Sequence, residues 1–334
     1  MSVNLPLNFN PGAFPDRPDN RDRRVEAVCT APVVDWEKGY NVETSLGINL
    51  TVEDQNGSSS CVGQAFGKYT EVINYVETKV LVNHSPKSIY EQIYLPGGGA
   101  YLRDGAKTPV NGGVALESWV PSYINGQPPT EEYMRKPLIT DDIRDKMKVY
   151  QAKEYRTVGT NNVDLIAWTI ENNHGAVSGA YGDNEGWKDW IVKPPKSGVG
   201  AWGHAIYYFG FGLDERRKYF DFINSWGTSW GKLGKGRMYF EEYDMPNNTF
   251  GFWTLIDKPN TSSVDPIALA YLKKHEDEII FNSDIGNFGL SLGDKLLELK
   301  DWKRGGLMAL MKMVRGTKTS VPDAFWKKFP IEDF

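Results

Sequence analysis

Two cysteines occur in 334 residues, and one of them sits where a thiol could react. The stretch "DQNGSSSCVGQAFGKYTEV" runs from Asp54 to Val72 and changes at Cys61 from polar loop to apolar periodicity. An ordinary thiol has a pKa near 8.5 and is only a few per cent thiolate at neutral pH. The positive end of a helix dipole and a neighbouring imidazolium both lower that value. Val62, Ala65, Phe66, Tyr69, Val72 or Ile73, Val76 and Val80 follow helical spacing. Ser60 is the expected N-cap, which makes Cys61 the first helical residue. The competing reading is a small apolar filler at the helix start. The polar run before Cys61 argues instead for solvent access.

A reactive thiol needs a base, and there are four histidines. His84 ("VNHSPKS"), His174 ("ENNHGA") and His275 (a charged stretch) all read most simply as surface residues. His204 opens the apolar run "WGHAIYYFGFG", followed by a turn and by "YFDFINSWG". If that hairpin folds about Asp214, His204 and Asn224 lie opposite each other on one face. The Asn224 amide oxygen would then accept from one ring nitrogen and fix the tautomer. An ordinary hairpin with two polar residues at its edge is the alternative. The histidines lack zinc-like spacing, so no metal and no cofactor is expected.

These groups need elements to position them. Residues 1–32 are rich in Pro, Asn, Asp and Arg and read as an extended arm. Residues 33–145 are helix-led, around the segment that begins at Cys61. Residues 146–258 are strand-led, with one helix at "NVDLIAWTIENN". This segregated order predicts an α+β fold. Residues 259–334 read as a helical appendage: "VDPIALAYLKKHEDEII" offers Asp265 as N-cap and Pro266 in the first turn. "SLGDKLLELKDW" and "GLMALMKMVRG" add amphipathic candidates. Helices packed on the body, or a membrane-surface or protein-partner contact, are the readings for that appendage. A net charge of −5 with intermixed signs argues against nucleic-acid binding. No apolar run reaches the ~20 residues of a membrane span, and the first residues lack a secretory pattern. With both cysteines expected free, a cytoplasmic or virus-associated location is the expectation.

The order Gln55, Cys61, "GHAIYYFGFG" and "INSWGTSWGKLGKGRM" resembles the papain-like cysteine peptidases, over about 33–258. Asn-Ser-Trp-Gly followed by Ser-Trp-Gly is a specific signature. Paired glycines at 98–99 and 112–113, with Glu117 close behind, are a quieter echo. The resemblance implies a helical left domain carrying Cys61 and a β-barrel-like right domain carrying His204 and Asn224. A polypeptide substrate would lie in the cleft between them. It implies that Gln55 and the Cys61 backbone N–H stabilise an oxyanion, and that Trp226, with Trp230, shields the His204–Asn224 pair. Gly98 or Gly99 would meet the substrate backbone, and Tyr101, Ala180, Trp202, Ala205 and Leu255 would line a hydrophobic subsite. The implied reaction passes through an acyl-enzyme.

The chain departs from the family pattern that it resembles at Val62, where most secreted members carry Trp, and at Ser58, where a disulfide cysteine is usual. Neither position supplies a catalytic group. The arm is expected to lie in or beside the cleft and to limit activity until moved or cut. Two other readings stay open: a silent or self-processing structural protein, and an acyl-enzyme transferase.

Overall fold

A computed structural model describes residues 12–29, 32–127, 129–196 and 201–256, with parts of 271–333. The chain divides into two compact units, 1–257 and 258–334.

The first unit is organised around one buried helix. The arm supplies β1 (Ala13–Phe14); then come β2 (Tyr40–Asn41), α1 (Val42–Leu46) and α2 (Cys61–Thr78). Every α2 residue from Cys61 to Asn74 is buried, so helical periodicity understates how enclosed it is. Around it lie α3 (Pro86–Ile93), β3 (Ala100–Tyr101) and α4 (Leu102–Asn111). Close approach is made possible by missing side chains. A Cβ on Gly63 would lie 2.6 Å from Pro86 O, and one on Gly105 would lie 2.5 Å from Val62 Cγ1. Helix α3 starts as its sequence prescribes: the Ser85 hydroxyl accepts from Ser88 N–H, and Pro86 takes the first turn. Two short helices, α5 (Glu131–Arg135) and α6 (Asp141–Met147), close this half.

The strand-led half follows: β4 (Glu154–Val158), α7 (Val163–Asn172), β5 (Ala176–Gly182), β6 (Trp202–Asp214), β7 (Arg217–Ile223), β8 (Lys235–Tyr239), α8 (Met245–Asn248) and β9 (Thr249–Ile256). The strands pair in the order β4-β9-β5-β6-β7-β8, with β2 added on β6. No pairing joins β4 to β8, so the expected barrel-like half is an open sheet among the described residues.

Strand β6 is covered on both faces, which explains its unbroken apolar run. Ala205, Tyr207 and Phe209 belong to the core around α2, while Ile206 and Tyr208 belong to the core on the α7 side. The β6–β7 hairpin turns at Glu215 and Arg216, both at positive φ (47° and 69°). Its register corrects the expected one. Asp214 pairs Arg217, and an irregularity between Tyr208 and Gly210 shifts the ladder to Tyr207–Ile223. Asn224 therefore lies just past the end of β7 rather than directly opposite His204.

In the second unit the described residues form strands β10 (Ile279–Asn282), β11 (Phe288–Ser291), β12 (Leu296–Glu298), β13 (Thr317–Val321) and β14 (Ile331–Asp333). They pair in the order β13-β10-β11-β12-β14. This corrects the helical reading of "SLGDKLLELKDW": Leu290 pairs Leu297, and Ser291 pairs Leu296, in an antiparallel ladder. Asp265, Pro266 and "GLMALMKMVRG" lie outside the described residues.

Candidate active site

Helix α2 packs Cys61 into one core with Ala205 of β6, whose backbone is among the groups that favour the thiolate. His204 is the neighbour of that residue. Its Nε2 lies 2.7 Å from Asn224 Oδ1, which also accepts from the Ser225 backbone N–H at 2.8 Å. A backbone N–H can only donate, so the amide atom there is the oxygen, and His204 Nε2 must carry the proton. In the neutral ring Nδ1 is then the basic nitrogen.

Aromatic rings enclose this pair. Trp226 stacks on His204 with centroids 4.8 Å apart, and Trp230 meets Trp226 edge-on at 5.4 Å. Trp187, which sequence reasoning missed, is the hub: it contacts Trp202, His204, Phe222, Trp226, Trp230 and Tyr243. No motif marks "DNEGWKDW"; only the density of tryptophan in the chain hinted at a shared cluster.

The loop before Cys61 is tied by its own polar groups. Gln55 Nε2 donates to Ser58 O at 2.9 Å, and its Oε1 accepts from Ser225 Oγ at 2.6 Å. Gln55 N–H donates to Ser225 O, which links the Gln55 loop to the segment after Asn224. Ser60 does not cap α2 through its side chain as expected; its hydroxyl bonds Ser58 Oγ and Gln64 Nε2 instead.

The arm covers the thiol. Gly12 O accepts from Ala100 N–H at 2.7 Å, and Ala13–Phe14 runs parallel to Ala100–Tyr101. The Gly12 backbone is among the groups that favour the Cys61 thiolate. A Cβ on Gly99 (φ 75°) would lie 2.4 Å from Gly12 O, and one on Gly203 would lie 2.3 Å from Ala13 O. The glycines thus leave the room that the arm fills. Gly98 (φ 96°) instead faces Ser59 Oγ.

Two anchors hold the arm. The Asp16 carboxylate accepts from Arg103 N–H at 3.1 Å and from Trp253 Nε1 at 3.0 Å. The N-cap residue of α4, Tyr101, offers no capping side chain, so Asp16 caps that helix from elsewhere in the chain. The Arg103 guanidinium in turn binds Asp22 and the Arg17 carbonyl.

Enclosure sets the protonation states. Burial pushes the Cys61 thiol up to about 12, against backbone N–H groups that lower it. Burial pushes His204 down to about 4, while the Asn224 hydrogen bond opposes it. Both groups are neutral near pH 7 in this form. The expected exposed thiolate is corrected accordingly: Cys61 heads α2, but in this form desolvation outweighs the groups that favour its ionisation.

Other residues are placed differently from the sequence reading. His84 is fully buried, with Nδ1 2.8 Å from Thr70 Oγ1, and His174 is partly buried against the Tyr40 hydroxyl. The five expected subsite residues are not gathered into one pocket. Ala180 and Trp202 belong with the tryptophan layer, and Ala205 and Leu255 with the α2 core. Tyr101 meets Phe14 of the arm edge-on at 6.3 Å. Phe250, not singled out from sequence, packs at 4.7 Å on Tyr181 and lies over Gly179 and Gly203 beside the arm. Both cysteines are free thiols.

A buried helix carrying a thiol, packed against a sheet carrying a histidine–asparagine pair, defines the papain-type arrangement. The chain belongs to that family: the model described as papain family cysteine protease matches residues 47–250. A search of curated proteins finds no match. Solved structures share the fold. Xylellain, a cysteine protease from Xylella fastidiosa, is 20% identical over 77% of this chain and 100% of its own, with a TM-score of 0.62. The bromelain protease from Ananas comosus is 18% identical over 67% and 100%, with a TM-score of 0.54. The Carica candamarcensis cysteine protease CMS1MS2 is 17% identical over 67% and 100%, with a TM-score of 0.51. Among the described residues no helix is long and apolar enough to cross a membrane.

Proposed function

We propose that this chain is a cysteine endopeptidase held latent by its own arm, with Cys61 as nucleophile and His204 as general base and acid. The observation that carries this reading is the His204 Nε2–Asn224 Oδ1 bond, 2.7 Å long, with Cys61 on the adjoining helix start. It leaves His204 Nδ1 to take the thiol proton. Withdrawal of the arm admits water, removes much of the desolvation and lets the thiolate–imidazolium pair form.

An extended polypeptide would then pair with the edge of β3 at Ala100 that Gly12–Phe14 now occupies. That this edge accepts a strand within the chain supports a substrate bound the same way. The thiolate attacks the peptide carbonyl carbon. Gln55 Nε2, held on the loop before α2, would with the Cys61 N–H bind the developing oxyanion once the substrate carbonyl is in place. Removing one such donor typically costs about 2.7–4 kcal/mol of transition-state stabilisation. The imidazolium protonates the leaving amine, and His204 then activates water to release the acyl group.

Trp226 and Trp230 would keep water from the His204–Asn224 bond. Partner contacts through 259–334 belong to this proposal only as an open attachment role. An acyl-transferase would use the same groups with an amine in place of water, and a silent or self-processing scaffold would release no product beyond its own arm. Turnover of a peptide substrate by the full chain and its Cys61→Ala variant, with products identified by mass, tests the reading. Hydrolysis that survives Cys61→Ala ends it, and transfer to an added amine at the expense of hydrolysis replaces it with the transferase.

A further inference from the structure

Between α2, β6 and the end of β7 lies a small cavity of about 10 Å3, lined by Glu53, Gln64, Lys68, Ala205, Asn224 and Ser225 among others. That is close to the room one water needs. Two polar atoms of its lining residues find no hydrogen-bond partner among the described residues: Gln64 Oε1 and Asn224 Nδ2. Gln64 is 2% and Asn224 2% exposed. A buried amide left unpaired costs about 1–3 kcal/mol, so such groups are normally served by protein or by ordered water.

The direction of each amide can be worked out. Ser58 Oγ gives its only proton to Gln55 O at 2.8 Å. It must therefore accept from Ser60 Oγ, 2.8 Å away. Ser60 has then spent its proton and must accept from Gln64 Nε2 at 3.1 Å. This chain of donors leaves Gln64 Oε1 as the acceptor that is not used. Asn224 is fixed from the other side, because its Oδ1 accepts from Ser225 N–H. Its Nδ2 is the donor that is not used. The unused acceptor and the unused donor thus belong to two residues that line one cavity of one water's size.

We propose that Gln64 holds a resident water that accepts from Asn224 Nδ2 and donates to Gln64 Oε1, making Gln64 a positioning residue for the His204–Asn224 pair. Its second hydrogen faces the Glu53 and Lys68 end of the lining. The water opposes rotation of the Asn224 amide, which would otherwise present Nδ2 to His204 Nε2–H, donor against donor. Through Ser60 and Ser58 the same Gln64 side chain also reaches the Gln55 loop. Both sides of the site are therefore referred to one residue, a turn along α2 from Cys61. This rests on the reading of His204 and Asn224 given above.

The test is a high-resolution crystal structure of the full chain, with peptide hydrolysis by wild type, Gln64→Leu and Gln64→Glu. The expected result is one ordered water within ~2.6–3.2 Å of both Gln64 Oε1 and Asn224 Nδ2 in the wild type. Gln64→Leu should lose that water and lower kcat by about tenfold, a modest part of a general base's contribution, with KM within about twofold. Gln64→Glu, which keeps an acceptor, should regain most of kcat. A wild-type cavity without a water, or a folded Gln64→Leu with wild-type kcat, overturns the proposal. Should Gln64→Leu not fold, the wild-type density and the Gln64→Glu rate still decide it. A bound water in a chain that hydrolyses no peptide would instead sink the peptidase reading and leave the water site standing.

Discussion

At the scale of single residues the account turns on one sulfur and the ring beside it. Cys61→Ala is expected to abolish peptide hydrolysis and labelling by a thiol-directed epoxide, whereas Cys29→Ser should leave both largely intact. Activity lost through Cys29→Ser alone would move the chemistry elsewhere. Asn224→Ala removes the acceptor that fixes the His204 tautomer at 2.7 Å. It should lower kcat by about tenfold or more while KM changes little, and steady-state kinetics on one peptide separates the two. Much of this scale was legible beforehand. Gln55, Cys61, His204, Asn224 and Trp226 stand in a spaced signature, and the structure brings the last three together. Trp187 carried no signal, because its role comes from distant contacts, and Ser225 stood in the signature without a role of its own until its hydroxyl met Gln55. His84 and His174 misled because polar neighbours in sequence do not reveal burial.

At the scale of elements, the arm and helix α2 carry the predictions. Burial raises Asp16 in the docked arm to about 6 from 3.8, with Arg103 and Trp253 opposing and Asp104 reinforcing. The docked arm therefore binds more protons than the free arm between those values. Docking is fully favoured below about pH 4 and weakens as pH rises through 6. In a Cys61→Ala chain, cleavage of residues 15–22 by an added protease should speed up over that window, relative to a free peptide of the same sequence. Asp16→Asn, which stays neutral, should flatten the response; a persistent pH step in that variant would show that Asp16 is not its source.

Within α2, Lys68 is buried at 2.6 Å from Glu71 and 3.2 Å from Glu53. Lys68→Ala would leave two buried carboxylates without their cation and is expected to cost about 3–5 kcal/mol, read from denaturant unfolding. Helix α2 and the β6–β7 hairpin were readable from periodicity and turn spacing. The hairpin register was not, because the irregularity near Phe209 adds a residue that no pattern announces. The contact of β1 with β3 was expected only as an arm near the cleft, since a two-residue strand has no periodicity to read.

At the scale of the whole chain, the peptidase elements fall within the unit spanning 1–257, which has its own cores around α2 and around Trp187. A chain ending at residue 257 is expected to fold cooperatively and to keep the full chain's kcat, as thermal unfolding and peptide turnover would report. The family and α+β architecture were legible from motif and element order. The second unit was not: short runs such as Leu296–Glu298 satisfy helical and strand patterns alike, and long-range pairing decides between them.

The latency of Cys61 is open to direct measurement by alkylating the full chain with iodoacetamide, in the native form and as Asp16→Ala, and locating adducts by mass. Loss of Asp16's hydrogen bonds to Arg103 and Trp253 should accelerate modification of Cys61 by about tenfold or more, the factor expected for ~1.5–3 kcal/mol of anchoring. Cys29 should label equally in both. Cys61 labelling at the same rate in both forms, or peptide hydrolysis by a chain whose Cys61 is already alkylated, would contradict the account.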